Sequence, residues 1–83
     1  MAEVKFCGLT RASDAVEAVR LGAAYAGVIF AGGPRQLDPL RATEVLAPTR
    51  GTSTARVGVF GAQGVDEVLA IARVVPLDVL QLS

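Results

Sequence analysis

Ala26-Gly27-Val28-Ile29-Phe30-Ala31, followed by Gly32-Gly33-Pro34-Arg35 and then Asp38-Pro39-Leu40, is the stretch that decides the fold. Six apolar residues without a polar interruption predict a strand buried on both faces. The two glycines and a proline mark a turn. Asp38 is a capping residue and Pro39 fits the first helical position, so a helix opens there and runs to just before Pro48. A buried strand leading straight into a helix is the unit of a parallel sheet.

The same unit recurs on both sides. Val4–Cys7 predicts a first strand, closed by Gly8, and Arg11–Leu21 a first helix. Thr10 or Ser13 would cap that helix, Asp14 lies in its first turn and Gly22 ends it, with Ala12, Ala15, Val16 and Val19 on one face. A polar loop, 49–54, leads to a third strand at Arg56–Phe60. The third helix, Val65–Val75, carries Val65, Val68, Leu69, Ala72 and Val75 on one face and stops at Pro76, and Leu77–Leu82 is a fourth strand. The order is β-α-β-α-β-α-β. An open flavodoxin-type sheet and the first part of a (β/α)₈ barrel both fit it. The chain ends on a strand with no helix after it, so the pattern looks interrupted.

Composition narrows the function. The 83 residues carry 8 Lys+Arg and 8 Asp+Glu, a net charge of zero, so no clustered basic excess is available for nucleic acid. There is no histidine and one cysteine, which removes the commonest metal ligand, a zinc cluster and an internal disulfide. No apolar run approaches the ~20 residues of a membrane span. No signal peptide is visible at the start. A free thiol without a targeting signal suits the cytoplasm.

Parallel sheets place chemistry at the carboxyl ends of their strands. Those ends carry Cys7-Gly8, Gly32–Arg35, Gly61-Ala62 and Gln81–Ser83. Cys7 is a candidate base or nucleophile, since Lys5 two residues back and the following helix start both place positive potential near the sulfur; the bland reading is a packing cysteine. Arg35, on a glycine-proline turn, suits a carboxylate or phosphate, or is a solvated loop residue. Gly32-Gly33 matches neither the P-loop nor the dinucleotide spacing and reads as a tight turn. Lys5 inside an apolar strand needs a partner or a route to water. Gln81 either points at a ligand or is an ordinary core amide.

Together these residues resemble the amino-terminal part of the phosphoribosylanthranilate isomerase family. The resemblance rests on Val4-Lys5-Phe6-Cys7-Gly8-Leu9-Thr10-Arg11 with Asp14-Ala15, on Gly22-Ala23 through Gly27-Val28-Ile29-Phe30 and Pro34-Arg35, on Val57-Gly58-Val59-Phe60, and on Val79-Leu80-Gln81-Leu82. It spans essentially the whole chain and implies a (β/α)₈ barrel, of which residues 1–83 would supply strands 1–4 and helices 1–3 as a single incomplete segment. It implies an isomerase of tryptophan biosynthesis that performs an Amadori rearrangement of N-(5-phosphoribosyl)anthranilate, without metal or organic cofactor. Cys7 matches the family's base, Arg35 a loop arginine on the anthranilate side of the substrate, and Gln81 lies in the fourth-strand motif. The family's general acid is an aspartate of the second barrel half, and its phosphate loops follow the last strands; no residue here matches either. The fourth motif, usually Gln-Leu-His-Gly, reads Gln81-Leu82-Ser83, and Gly33 stands where the family prefers serine. The 83-residue chain is therefore expected to be inactive alone, and to self-associate or require the missing barrel half.

Overall fold

In the computed structural model, which describes residues 3–83, four strands and three α-helices alternate along the chain. They are β1 (Lys5–Phe6), α1 (Ala12–Arg20), β2 (Tyr25–Ile29), α2 (Pro39–Leu46), β3 (Ala55–Phe60), α3 (Val65–Val74) and β4 (Val79–Leu82), with a 3₁₀ turn at Ala47–Thr49 after α2. All three strand pairings are parallel, and the sheet order is β1-β2-β3-β4. Each crossover therefore leads to the adjacent strand, as in a barrel wall and unlike the 2-1-3-4 order of an open flavodoxin-type sheet.

One face of this sheet is covered. Ala26, Val28, Phe30 and Phe60 point toward the helices and meet Ala15, Ala42, Val45, Leu46, Val68 and Val75 in a continuous core. Phe30 and Phe60 stack there with ring centroids 5.1 Å apart. Gly58 lies under this layer by necessity: a Cβ would come within 2.7 Å of Leu77 and 3.2 Å of both phenyl rings. The alternate residues of the strands, Lys5, Tyr25, Gly27, Val57, Val79 and Gln81, share the other face and line a concavity.

Helix boundaries follow local chemistry with one exception. Asp38 caps α2, its carboxylate accepting from the Arg41 amide at 2.8 Å, with Pro39 behind it. Gly22 adopts φ +71° after α1 and donates to the Val19 carbonyl. The exception is the start of α1. Neither Thr10 nor Ser13 caps it: the N-cap position belongs to Arg11, without a side-chain hydrogen bond. Gly8 turns at φ +76° and Leu9 then donates to the Gly27 carbonyl, which draws residues 8–9 into the sheet edge and delays the helix.

The buried stripes also differ from the expected ones. In α1 it is Ala15 and Ala18 that are buried, while Val16 is 52% exposed, because the helix approaches α2 and the 3₁₀ turn through its smallest side chains. In α3, Val68 and flanking Val75 are buried, but Val65 and Leu69 are left 75% and 46% exposed. These two, with Val68, Leu80 and Leu82, line an apolar groove on the helix side of β4.

The entry to β4 is fixed by one ion pair. The Arg56 guanidinium and backbone amide both donate to the Asp78 carboxylate, at 2.7 to 3.3 Å, while the Asp78 amide returns to the Arg56 carbonyl. The side-chain hydrogen bonds, then the backbone one, hold the Asp78 carboxyl below the usual aspartate range. A carboxyl that is a stronger acid in the folded chain stabilises it above its unfolded pKa, about 3.9, and that stabilisation is lost as pH falls through the lower folded value. The pair is partly in water, so the effect is expected at or below about 1 kcal/mol. Asp78→Asn should lower the urea midpoint at pH 7, and the gap from wild type should narrow as pH falls below about 4, the unfolded aspartate value.

Candidate active site

The residues on the uncovered face lie in rows set by the strand register. Lys5 pairs with Tyr25 and Tyr25 with Ala55, forming the lowest row. Above it Gly27 pairs with Val57 and Val57 with Val79; above that Ile29 pairs with Val59 and Val59 with Gln81. Cys7 follows directly on β1, and the Cβ position of Gly27 is 3.7 Å from the Cys7 Cα. Because Gly27 has no side chain, the space beside Cys7 stays open. Rows of this kind are how barrel strands fill or line their interior.

The concavity lined by these rows encloses about 190 Å³ and contains Lys5, Cys7, Tyr25 and Gln81 as its polar or reactive groups. Cys7 is a free, exposed thiol. The Lys5 ammonium does not stand alone in the apolar strand: its Nζ lies 5.2 Å from the Tyr25 ring centroid, a cation–π distance. The lysine's partner is thus an aromatic face one strand away.

Arg35 is placed differently. It does not line the concavity but stands at its rim, with its guanidinium against Gly8, the residue after Cys7. A Cβ on Gly8 would lie 2.7 Å from the Arg35 Nη1 and 2.9 Å from its Cζ, so both the +76° backbone and the close approach require glycine. The ion pairs of the described residues engage Arg11, Arg20, Arg41 and Arg56, leaving the Arg35 charge available. The fold therefore gathers the three candidates: Cys7 and Gln81 inside, Arg35 at the edge one residue from the thiol.

Two rim residues escaped sequence reasoning. Gln36 and Gln63 each donate a side-chain amide hydrogen to the Phe30 carbonyl, at 3.0 and 2.8 Å. Gln63 also accepts from the Gly61 amide at 2.7 Å. Polar residues in two different loops give no sequence signal that they converge, since 27 residues separate them; only the position of each just past a strand end was visible. Among the described residues no group of three or more His, Cys, Asp or Glu side chains could hold a metal ion.

A parallel sheet in sequential order, with helices on one face and with Cys7 and Gln81 toward the carboxyl ends on the other, is the arrangement of an enzyme-type (β/α)₈ barrel wall. The family model for N-(5'-phosphoribosyl)anthranilate (PRA) isomerase matches residues 4–83. An N-(5'-phosphoribosyl)anthranilate isomerase of Syntrophus aciditrophicus is 42% identical over 99% of this chain, which covers 36% of that protein. One from Dehalococcoides mccartyi is 39% identical over the whole chain, covering 39% of that protein. A crystal structure of the Thermotoga maritima enzyme superposes with a TM-score of 0.90 at 32% identity, over 99% of this chain and 40% of that one. A further crystal structure, in complex with reduced 1-(o-carboxyphenylamino)-1-deoxyribulose 5-phosphate, gives the same TM-score and identity. The chain belongs to the phosphoribosylanthranilate isomerase family and spans about 40% of the length of these relatives.

Proposed function

We propose that residues 1–83 supply strands 1–4 and helices 1–3 of an isomerase that converts N-(5-phosphoribosyl)anthranilate to 1-(2-carboxyphenylamino)-1-deoxyribulose 5-phosphate, a step of tryptophan biosynthesis. The observation that carries this reading is the placement of Cys7 beside the gap at Gly27, with Gln81 in the same concavity and Arg35 one residue away. In the reaction an acid protonates the ribose ring oxygen, the ring carbon–oxygen bond breaks and an iminium forms. Cys7, as thiolate, removes the proton from the neighbouring sugar carbon, and the electron pair moves to neutralise the iminium nitrogen. The resulting enolamine tautomerises to the ketone. Arg35 holds the anthranilate carboxylate, for which a fixed fork of donors is suited, and Gln81 contacts the bound substrate. The acid and the phosphate-binding loops come from the second barrel half. No step calls on a metal or organic cofactor, and the reaction belongs to the cytoplasm. Joining this chain to the carboxy-terminal half of the Thermotoga maritima enzyme should produce turnover of phosphoribosylanthranilate; a folded chimera without turnover would reject the assignment.

A second reading concerns the 83-residue polypeptide on its own. Leu82 is 75% exposed and, with Leu80, Val65 and Leu69, forms the apolar groove where a barrel would seat its next helix. β1 and β4 are both sheet edges. Apolar patches and unpaired edges recruit other chains, and zero net charge gives no repulsion to oppose it. The isolated chain is expected to self-associate. Size-exclusion chromatography with light scattering should give a mass of a dimer or larger; a compact monomer with cooperative unfolding is the opposite outcome.

A further inference from the structure

The β2–β3 ladder contains an insertion at the rim. In a parallel ladder a residue bonds on both sides of its partner: its amide to the carbonyl of one neighbour, its carbonyl to the amide of the other. The Phe30 amide donates to the Val59 carbonyl at 2.8 Å, so the next rung would run from the Gly61 amide to the Phe30 carbonyl. That rung is missing. The Gly61 amide donates instead to the Gln63 Oε1 at 2.7 Å, and the Gln63 Nε2 donates to the Phe30 carbonyl at 2.8 Å. One carboxamide is threaded into the ladder where a direct bond would otherwise close it. It needs a group that donates from one end and accepts at the other, which glutamine provides.

The second lone pair of the same carbonyl is taken by the Gln36 Nε2 at 3.0 Å. Gln36 follows Arg35 directly, and Leu37 donates to the Ile29 carbonyl at 2.9 Å, so the loop carrying Arg35 is pinned against the end of β2 at two points. Nothing comparable holds the guanidinium itself: it rests against Gly8 without an ion pair among the described residues. The order of the Arg35 side chain must come from its backbone, and the backbone from Gln36 and the bridged rung.

From this geometry we infer that Gln36 and Gln63 are positioning residues. They bridge the ends of β2 and β3 and the following loop through the Phe30 carbonyl, and so fix the loop that presents Arg35 to an aromatic carboxylate beside Cys7. The ligand in this statement rests on the proposed function; the positioning of Arg35 does not.

The sequence makes the test direct, because glutamines 36, 63 and 81 are its only side-chain carboxamides. In nuclear magnetic resonance spectra of the 83-residue chain, in whatever oligomeric state it adopts, the Gln36 and Gln63 NH₂ protons should exchange at least ten-fold more slowly than those of Gln81. Gln63→Ala lets the strands close the rung directly. It should raise the mobility of the Arg35 Nε–H while leaving that of Arg56, which is held by Asp78, unchanged. Gln63→Glu preserves length and the acceptor for Gly61 but at neutral pH has no donor for Phe30, and it should behave like Gln63→Ala; wild-type behaviour in Gln63→Glu would show a space-filling side chain and overturn the inference. An unchanged Arg35 signal in Gln63→Ala would overturn it as well. Titration with anthranilate then separates the two claims. Weakening by about ten-fold in Gln63→Ala extends the positioning to ligand binding. Wild-type chain that ignores anthranilate, with Arg35 still released by Gln63→Ala, would count against the proposed substrate and leave the positioning intact.

Discussion

Purified as an 83-residue polypeptide, the chain is expected to give no measurable turnover of N-(5-phosphoribosyl)anthranilate. The strands and their loops supply Cys7, Arg35 and Gln81 to the proposed site, and the acid that the proposed reaction needs at the ring oxygen is assigned to the second barrel half. Acid–base assistance contributes ~10²–10⁴-fold per positioned group. The phosphate of the substrate also lacks its loops, which in barrels follow strands 7–8. Binding energy from such a remote group is what orients the reacting centre, so its loss lowers the rate further. The two deficits multiply. A fluorescence assay of anthranilate-containing substrate and product should show the uncatalysed rate with the chain alone, and turnover once the carboxy-terminal half is joined to it. Turnover by the isolated chain that disappears in Cys7→Ala would mean that the missing half is dispensable.

In the completed barrel, Cys7→Ala is expected to lower kcat by ~10²–10⁴-fold with a much smaller change in KM, since a proton acceptor acts in the transition state and contributes little to ground-state binding. Structure and stability should be nearly unaffected: Cys7 is exposed and its neighbour in the row is Gly27, so the substitution removes no packing partner from the helix-side core. That separation matters because a buried packing cysteine would show the reverse, a lower unfolding midpoint with kcat retained. Steady-state kinetics and urea denaturation on the same two proteins distinguish the roles.

The sheet was legible in the sequence because each strand is a short apolar run followed by a turn signal and a capped or periodic helix, as in Ala26–Ala31 leading to Asp38-Pro39. The order of the strands was not legible from periodicity, since helices that cross over from parallel strands look alike whether they lead to the next strand or skip one. It took the family resemblance to favour the sequential order that the pairings show. Val65 and Leu69 followed the helical period correctly, yet lie exposed along a groove beside β4. Periodicity reports which side chains share a face, and it is silent on whether a neighbour covers that face. At the site, Cys7 and Gln81 were visible through their places at strand ends. The seating of Arg35 on Gly8 was not, because it depends on the approach of two loops distant in sequence, and the same holds for the meeting of Gln36 and Gln63 on one carbonyl.

The proposed function places the reacting sugar carbon over the concave face around Cys7. The most direct measurement is the rate at which iodoacetamide alkylates Cys7 in the completed barrel, built with a second half free of cysteine so that this chain's one thiol is the only target. A saturating amount of the reduced product analogue, 1-(o-carboxyphenylamino)-1-deoxyribulose 5-phosphate in its reduced form, should slow alkylation at least ten-fold by occupying the space over Gly27. An analogue that binds tightly while Cys7 is alkylated at its unliganded rate would place the reacting carbon elsewhere and contradict the assignment.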